Sequence, residues 1–331
     1  MKFLFLSFRS RFRNDALNNL SRSQKIKNIF VINFSGPILI WIALFFYKLF
    51  KFPSFLFLSC DGNPLLKNSI NSLNLWMGGT IYKIPEEFRN DNSYVVMESV
   101  FSVTNRKVQF YPCQIKKNPI SNNFKFVYIS NCVHIEEIFS LNLWNSEKKN
   151  ILNNFSIIDS NIFWKPYLNK ISDPAKLQGS YKNLKNLLRQ EIILEFYKSF
   201  SKKTIIVGSS WKNLISSAVN DLNKREDINN LYSGNVCIDL GSKHGHLSLY
   251  PRSIHIIESG GLLFQSLQKD SHKMFNNLIN DISYNSLEEM LLKADIFLKN
   301  PQKLNYYLDN LYNNFSNQNH NYQTLINLFK K

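Results

Sequence analysis

Ile205-Ile206-Val207-Gly208-Ser209-Ser210-Trp211-Lys212 reads as a buried strand that runs directly into a turn of small residues. Successive β-branched apolar residues suit a strand covered on both faces, and Gly-Ser-Ser suits a tight turn at its end. Such a turn exposes backbone N–H groups, and a helix start beyond it adds partial positive charge. A phosphate can therefore sit at Gly208, Ser209 and Ser210, with Lys212 as a point charge. The plainer reading is a tight turn of the kind most α/β domains contain. Upstream, residues 184–200 carry apolar side chains at three- and four-residue spacing and predict a helix. Downstream, strands are predicted at 204–207, 236–240, 262–265 and 282–284. Helices are predicted at 252–259, 287–298, 304–315 and 322–331, and residues 228–231 close another.

The same alternation recurs earlier in the chain. Residues 3–8, 29–34, 55–59, 94–97 and 124–129 predict strands, and 135–149 a helix. Buried apolar strands alternating with helices are the pattern of a parallel sheet covered on both faces. At roughly 150 residues per domain, 331 residues suffice for two. Residues 172–179, with Asp173-Pro174 and Gly179, mark the expected junction between a domain over 1–172 and one over 173–331. A ligand is expected in the cleft at the carboxyl ends of the strands.

Composition narrows the function classes. A hydrophobic fraction of 44% and an aromatic fraction of 14% exclude a disordered chain. The cysteines Cys60, Cys113, Cys132 and Cys237 form no C-x-x-C pair, which excludes a zinc ribbon or disulfide scaffold and fits a reducing compartment. The net charge of +16 implies an anionic partner: nucleic acid, an acidic membrane surface or a phosphorylated small molecule. The alternative is a solvated surface, since the lysines are spread along the chain.

Residues 28–47 carry no charge over a length that can cross about 30 Å of hydrocarbon. Ser35-Gly36-Pro37 interrupts the run, so a strand, a tight loop and an apolar helix ending near Phe50 are expected rather than a span. That helix, with Lys48 and Lys51 at the headgroups, suits docking on a membrane face. The residues before Arg9 are too few for a signal peptide.

Two further stretches of the second half carry chemistry. Asp239-Leu240-Gly241-Ser242-Lys243-His244-Gly245-His246 is a polar, glycine-bearing loop directly after a strand. Its glycines allow close approach of a ligand, and Lys243 or His244 can donate to an anion. His244 and His246 lack the Cys, Asp or Glu that completes a ligand spacing, so no metal site is expected. Arg252 opens a short helix, Glu258 lies near its end, and Gly260-Gly261 precede a buried strand. Arg252 and Glu258 can both face the cleft, or else form a cap and an exposed pair.

The ordered set I-V-G-x-x-W, then a strand and loop, then R-S-I-x-I-x-x-S-G-G-L-L resembles the C-terminal domain of GT-B-fold glycosyltransferases. It is similar in particular to the bacterial group related to spore-maturation glycosyltransferases. Residues 280–289, a short strand leading into a Glu-rich helix, are similar to the same group. The resemblance covers residues 184–331. It implies a GT-B-like α/β fold: two Rossmann-like domains with mostly parallel sheets facing a central cleft. It further implies that Gly208, Ser209, Ser210 and Lys212 approach the donor diphosphate, that Arg252 opens the donor-site helix, and that Gly260 and Gly261 follow it. Where many such enzymes carry the acid that holds the donor ribose, this chain has His255, with Glu258 close by. The opening residues 1–8 are similar to a GT-B first strand.

The function so implied is metal-independent transfer of a sugar from a nucleotide-sugar to a hydroxyl of a glycan or lipid-linked acceptor, in cell-surface polysaccharide synthesis. The nucleotide-sugar is a co-substrate, and no cofactor is implied. Glu98, just beyond a predicted strand, is the first candidate for the base that deprotonates the acceptor, and His134 the second. A cytoplasmic enzyme, peripheral on the inner face of the membrane, would meet such acceptors. Two other classes compete. One is a catalytically inactive GT-B-like interaction module, motivated by His255. The other is a nucleic-acid-binding protein, motivated by the charge and by 27 Phe, 15 Tyr and 5 Trp. Most of these Phe residues lie in apolar runs and are expected in the core, which disfavours the nucleic-acid class.

Overall fold

In a computed structural model of the protein, the chain divides into two units, Met1–Cys113 with Gln318–Lys331, and Gln114–Asn317. The structure describes the backbone of six strands in the first part of the chain, and residues 118–316 apart from 169–170, 172–173, 223, 242–250 and 269–270. The expected helix over residues 37–50, the one over 322–331, Glu98, Lys243 and His244 lie outside the described residues.

The six strands are β1 (Phe3–Phe8), β2 (Ile29–Phe34), β3 (Phe55–Ser59), β4 (Ser72–Trp76), β5 (Ser93–Val96) and β6 (Lys107–Val108). They pair in parallel in the order β2-β1-β3-β4-β5-β6. Residues 29–34 are thus a strand, as their β-branched and aromatic run predicts. β4 and β6 escape the sequence reading. Ser72-Leu-Asn-Leu-Trp76 interleaves polar with apolar residues, and β6 is only two residues long.

The second unit is an α/β domain on a parallel five-stranded sheet. Its strands are β7 (Phe126–Ile129), β8 (Thr204–Val207), β9 (Val236–Asp239), β10 (Leu262–Ser266) and β11 (Ser283–Tyr284). They stand in the order β11-β10-β9-β7-β8. β7, read from the sequence as part of the first domain, belongs to this sheet and pairs with both β8 and β9. The division between units accordingly falls before β7 rather than at residues 172–179, whose end lies in the first turns of a helix.

Among the described residues, six longer helices follow in chain order: α1 (Ile138–Asn153), α2 (Pro174–Phe200), α3 (Arg225–Tyr232), α4 (Pro251–Glu258), α5 (Leu287–Lys299) and α6 (Pro301–Ser316). α1, α2 and α5 pack on one another, while α4 lies on β9 and β10 and packs against α3. Among the described residues, no helix is long and apolar enough to cross a membrane.

The core explains the strand pattern. Phe126, Val127 and Tyr128 of β7 are buried, as is every residue of β9 and β10. Such strands are covered on both sides and read as apolar runs without alternation. Phe126 meets the rings of Phe124, Phe196 and Phe200 at 5.4, 5.1 and 5.8 Å, tying β7 to α2. Phe124, Phe126 and Phe196 are fully buried, each contributing about 1.5–3 kcal/mol.

Candidate functional site

β7 is followed in sequence by β8 on one side, and the chain then crosses to β9 on the other. The connections therefore diverge between β7 and β9, the position beyond the strands' carboxyl ends at which open α/β sheets bind ligands. The residues at this point are Ser130 and Asn131 after β7, Asp239 at the end of β9, and Gly241 just beyond it.

Arg252 spans this gap. Its Nη1 lies 3.4 Å from Asp239 Oδ1 and its Nη2 donates to Ser130 Oγ at 3.3 Å. The Asp239 side chain is 0% exposed and that of Arg252 18%, so the carboxylate is sealed and the guanidinium reaches solvent. Asp239 also accepts from Gly241 N at 3.0 Å and from the Ser253 hydroxyl. A second cation arrives from α2, where an Arg189 guanidinium nitrogen donates to the Gly241 carbonyl. One sealed carboxylate and two guanidinium groups thus meet at the switch point. The amino end of α4, with Pro251 in its first turn, adds partial positive charge there.

The turn after β8 is tied into the chain by its own hydrogen bonds. Gly208 N donates to Val219 O at 3.0 Å, and Ser209 N is shared between Asn131 Oδ1 at 3.2 Å and the Asp221 carboxylate at 3.1 Å. These two N–H groups, expected from the sequence to cradle a phosphate, are occupied, and a carboxylate stands beside them. Ser210 takes a left-handed conformation with φ 66°. Lys212 lies in the one-turn 3₁₀ segment Trp211–Asn213 and is exposed. What this turn does is brace β7. Trp211 Nε1 donates to Ser130 O at 2.6 Å, and Cys132 N donates to Ser209 O at 3.0 Å.

The remaining candidates separate from Arg252. An eight-residue helix is about 12 Å long, so Arg252 in the first turn of α4 and the glycines after its last turn stand at opposite ends. Gly260 has φ 80°, and a Cβ on Gly261 would come within 2.7 Å of Tyr232 O and 2.8 Å of Cys237 Sγ. The glycine pair thus permits a close turn into β10 at the amino end of the sheet. Glu258 pairs with Arg225 of α3 at 3.6 Å. His255 meets Asn229 Oδ1 through Nε2 at 2.6 Å and stacks edge-on to Tyr232. His134 follows β7 but its side chain is 84% exposed, 3.8 Å from an equally exposed Glu136.

His255 is held neutral, its pKa pushed from 6.5 down to about 4, first by burial and then by the nearby Arg225 charge. The unfolded chain takes up this proton below pH 6.5 and the folded chain does not. Stability present above pH 6.5 is therefore lost as the pH falls toward 4, by up to about 3 kcal/mol. In urea unfolding, His255→Gln should flatten the decline between these two values. A decline as steep as that of the parent protein would show that His255 does not carry it.

Two groups at the switch point, Ser130 and Arg189, have no sequence signal. Ser130 is an ordinary serine after a strand, and Arg189 sits mid-helix. Among the described residues no group of three His, Cys, Asp or Glu side chains is arranged to hold a metal ion. Compared with known proteins, the chain matches no protein-family model and no curated protein.

Proposed function

We propose that the protein is a glycosyltransferase of GT-B architecture that moves a sugar from a nucleotide-sugar to a hydroxyl of a glycan or lipid-linked acceptor. The observation that carries this reading is Arg252 bridging the ends of β7 and β9, with Arg189 beside it at a topological switch point. Glycosyl transfer releases a nucleoside phosphate, and cations fixed where that charge develops stabilise the transition state. Arg252 would contact the phosphate oxygens through its solvent-facing side, while Asp239 holds the guanidinium in place. Glu98 remains the proposed base for the acceptor hydroxyl. Work at the inner face of the cytoplasmic membrane is part of the same proposal and would bring the enzyme to lipid-linked acceptors.

UDP, GDP and CMP, each added to the full chain while thermal unfolding is followed, test the reading. A nucleotide at a hundredfold over its Kd adds about 2.7 kcal/mol of stability and raises the melting temperature. If none of the three does so, the reading fails. Salt-sensitive binding of RNA or DNA without such a rise would favour the nucleic-acid class instead. Nucleotide binding without release of sugar from any nucleotide-sugar would favour an inactive module.

A further inference from the structure

α5 presents solvent with an apolar pair set between opposite charges. An α-helix turns about 100° per residue, so Glu288, Leu292, Asp295, Ile296 and Lys299 fall within one stripe about 100° wide. Leu292 is 59% and Ile296 38% exposed, although they stand one turn apart on the same face. The other side of the helix carries its buried residues, Met290, Ala294 and Phe297. Beside the stripe, between α1 and α5, opens a groove of about 770 Å³ whose apolar lining is Leu152, Leu287, Leu291 and Leu292. We propose that this face is a two-fold interface, on which α5 of a second copy of the chain docks antiparallel to α5.

Charge order selects the occupant. From the amino to the carboxyl end the stripe runs Glu288, Leu292, Ile296, Lys299: an acid, two apolar residues, a base. A two-fold axis through the middle of the helix reverses that order in the partner. Leu292 then faces the partner's Ile296 and Glu288 faces the partner's Lys299, and symmetry makes each pair twice. A parallel arrangement would set like charges together. Glu288 is exposed and has no ion pair among the described residues. Lys299 already holds Asp295 at 2.5 Å, which neutralises the one carboxylate flanking the apolar pair. An ammonium has three donors, so Lys299 can take the second carboxylate as well. Lys293 is kept out of the stripe by bonds to Glu289 and to the Asn280 and Ser283 carbonyls. Across the groove, Lys148 is held by Glu191 at 2.7 Å and Lys149 is exposed. Glu288 and Asp295 thus balance Lys149 and Lys299. Such a face attracts neither a nucleic acid nor a uniformly charged protein, but it complements itself.

Shape agrees with charge. Residues four apart on a helix form a ridge, and interdigitating two such ridges is the commonest way that helices pack. Leu292 and Ile296 are a ridge of this kind. A second helix laid on it would also roof the groove and take Leu287 and Leu291 of α5 and Leu152 of α1 out of water. Burial of that apolar surface is the driving force, and the charge pairs at the rim set the direction of docking.

Sedimentation velocity on the full chain, run across a series of protein concentrations, tests the inference. A monomer–dimer equilibrium should appear. Leu292→Gln suits an exposed helical position, and it should weaken the dimer at least about tenfold because both copies lose the apolar contact. Glu288→Lys or Lys299→Glu alone brings like charges together at both ends, and each should weaken the dimer about tenfold. The double variant Glu288→Lys/Lys299→Glu restores opposite charges across the interface and should recover most of that loss. Far-UV circular dichroism matching the parent chain shows that each variant is folded. A monomer at every concentration, or a dimer indifferent to Leu292→Gln, overturns the proposal. A double variant no stronger than the single ones overturns it too, since the antiparallel pairing would then be absent.

Discussion

Gly208→Ala is expected to lower the stability of the second unit by at least about 3 kcal/mol, seen as a large drop in its urea midpoint. Gly208 has φ 145°, a conformation that L side chains rarely adopt. A Cβ there would overlap the carbonyl oxygen of Ser130 and lie 2.6 Å from its carbonyl carbon. Neither obstacle is the tip of a flexible side chain, so the ends of β7 and β8 would have to separate. Separation would break Ser130 N to Val207 O at 2.9 Å, Cys132 N to Ser209 O at 3.0 Å and Trp211 Nε1 to Ser130 O at 2.6 Å. The glycine is needed for the close approach of the two strand ends. A midpoint unchanged in Gly208→Ala would show that these strand ends do not approach as described.

Asp239→Ala should cost about 3–5 kcal/mol, because it breaks a buried ion pair by removing one partner. Asp239 accepts from Gly241 N, the Ser253 hydroxyl and Arg252, and none of its side chain is exposed. Alanine leaves the Gly241 N–H and the Ser253 hydroxyl without this acceptor, at about 1–3 kcal/mol for each that stays buried and unsatisfied. Asp239→Asn preserves shape and one acceptor oxygen, so its loss should be smaller. The two variants unfolded side by side in urea check the point. Equal losses would mean that shape, not acceptor capacity, is what Asp239 supplies.

Much of the second unit is legible in the sequence because its central strands β9 and β10 are buried along their whole length. β8, β9 and β10 register through the apolar runs Ile205–Val207, Val236–Ile238 and Leu262–Phe264, and the helices between them show their periodicity. The placement of β7 is not legible. Pairing partners are chosen by long-range packing, here by Phe126 against Phe196 and Phe200 of α2. The site is legible only in part. Arg252 stands out as a charge at the start of an apolar helix, and it lies at the switch point. Gly260 and Gly261 follow it closely in sequence but are carried a helix length away. His255 and Glu258 face α3 because their positions on α4 point there, which no single-chain motif discloses. The β8 turn looks like an anion cradle in sequence because its small residues are visible, while Val219, Asn131 and Asp221, which occupy its N–H groups, come from elsewhere in the chain.

The central claim is that the switch point between β7 and β9 holds the phosphates of a nucleotide through Arg252. The most direct measurement is the affinity of whichever of UDP, GDP and CMP stabilises the protein, compared between the parent chain and Arg252→Gln. Glutamine keeps a donor near Asp239 and Ser130 but removes the charge. Loss of one charge-assisted contact predicts an affinity at least about tenfold weaker. An unchanged affinity in a folded Arg252→Gln protein would contradict the claim.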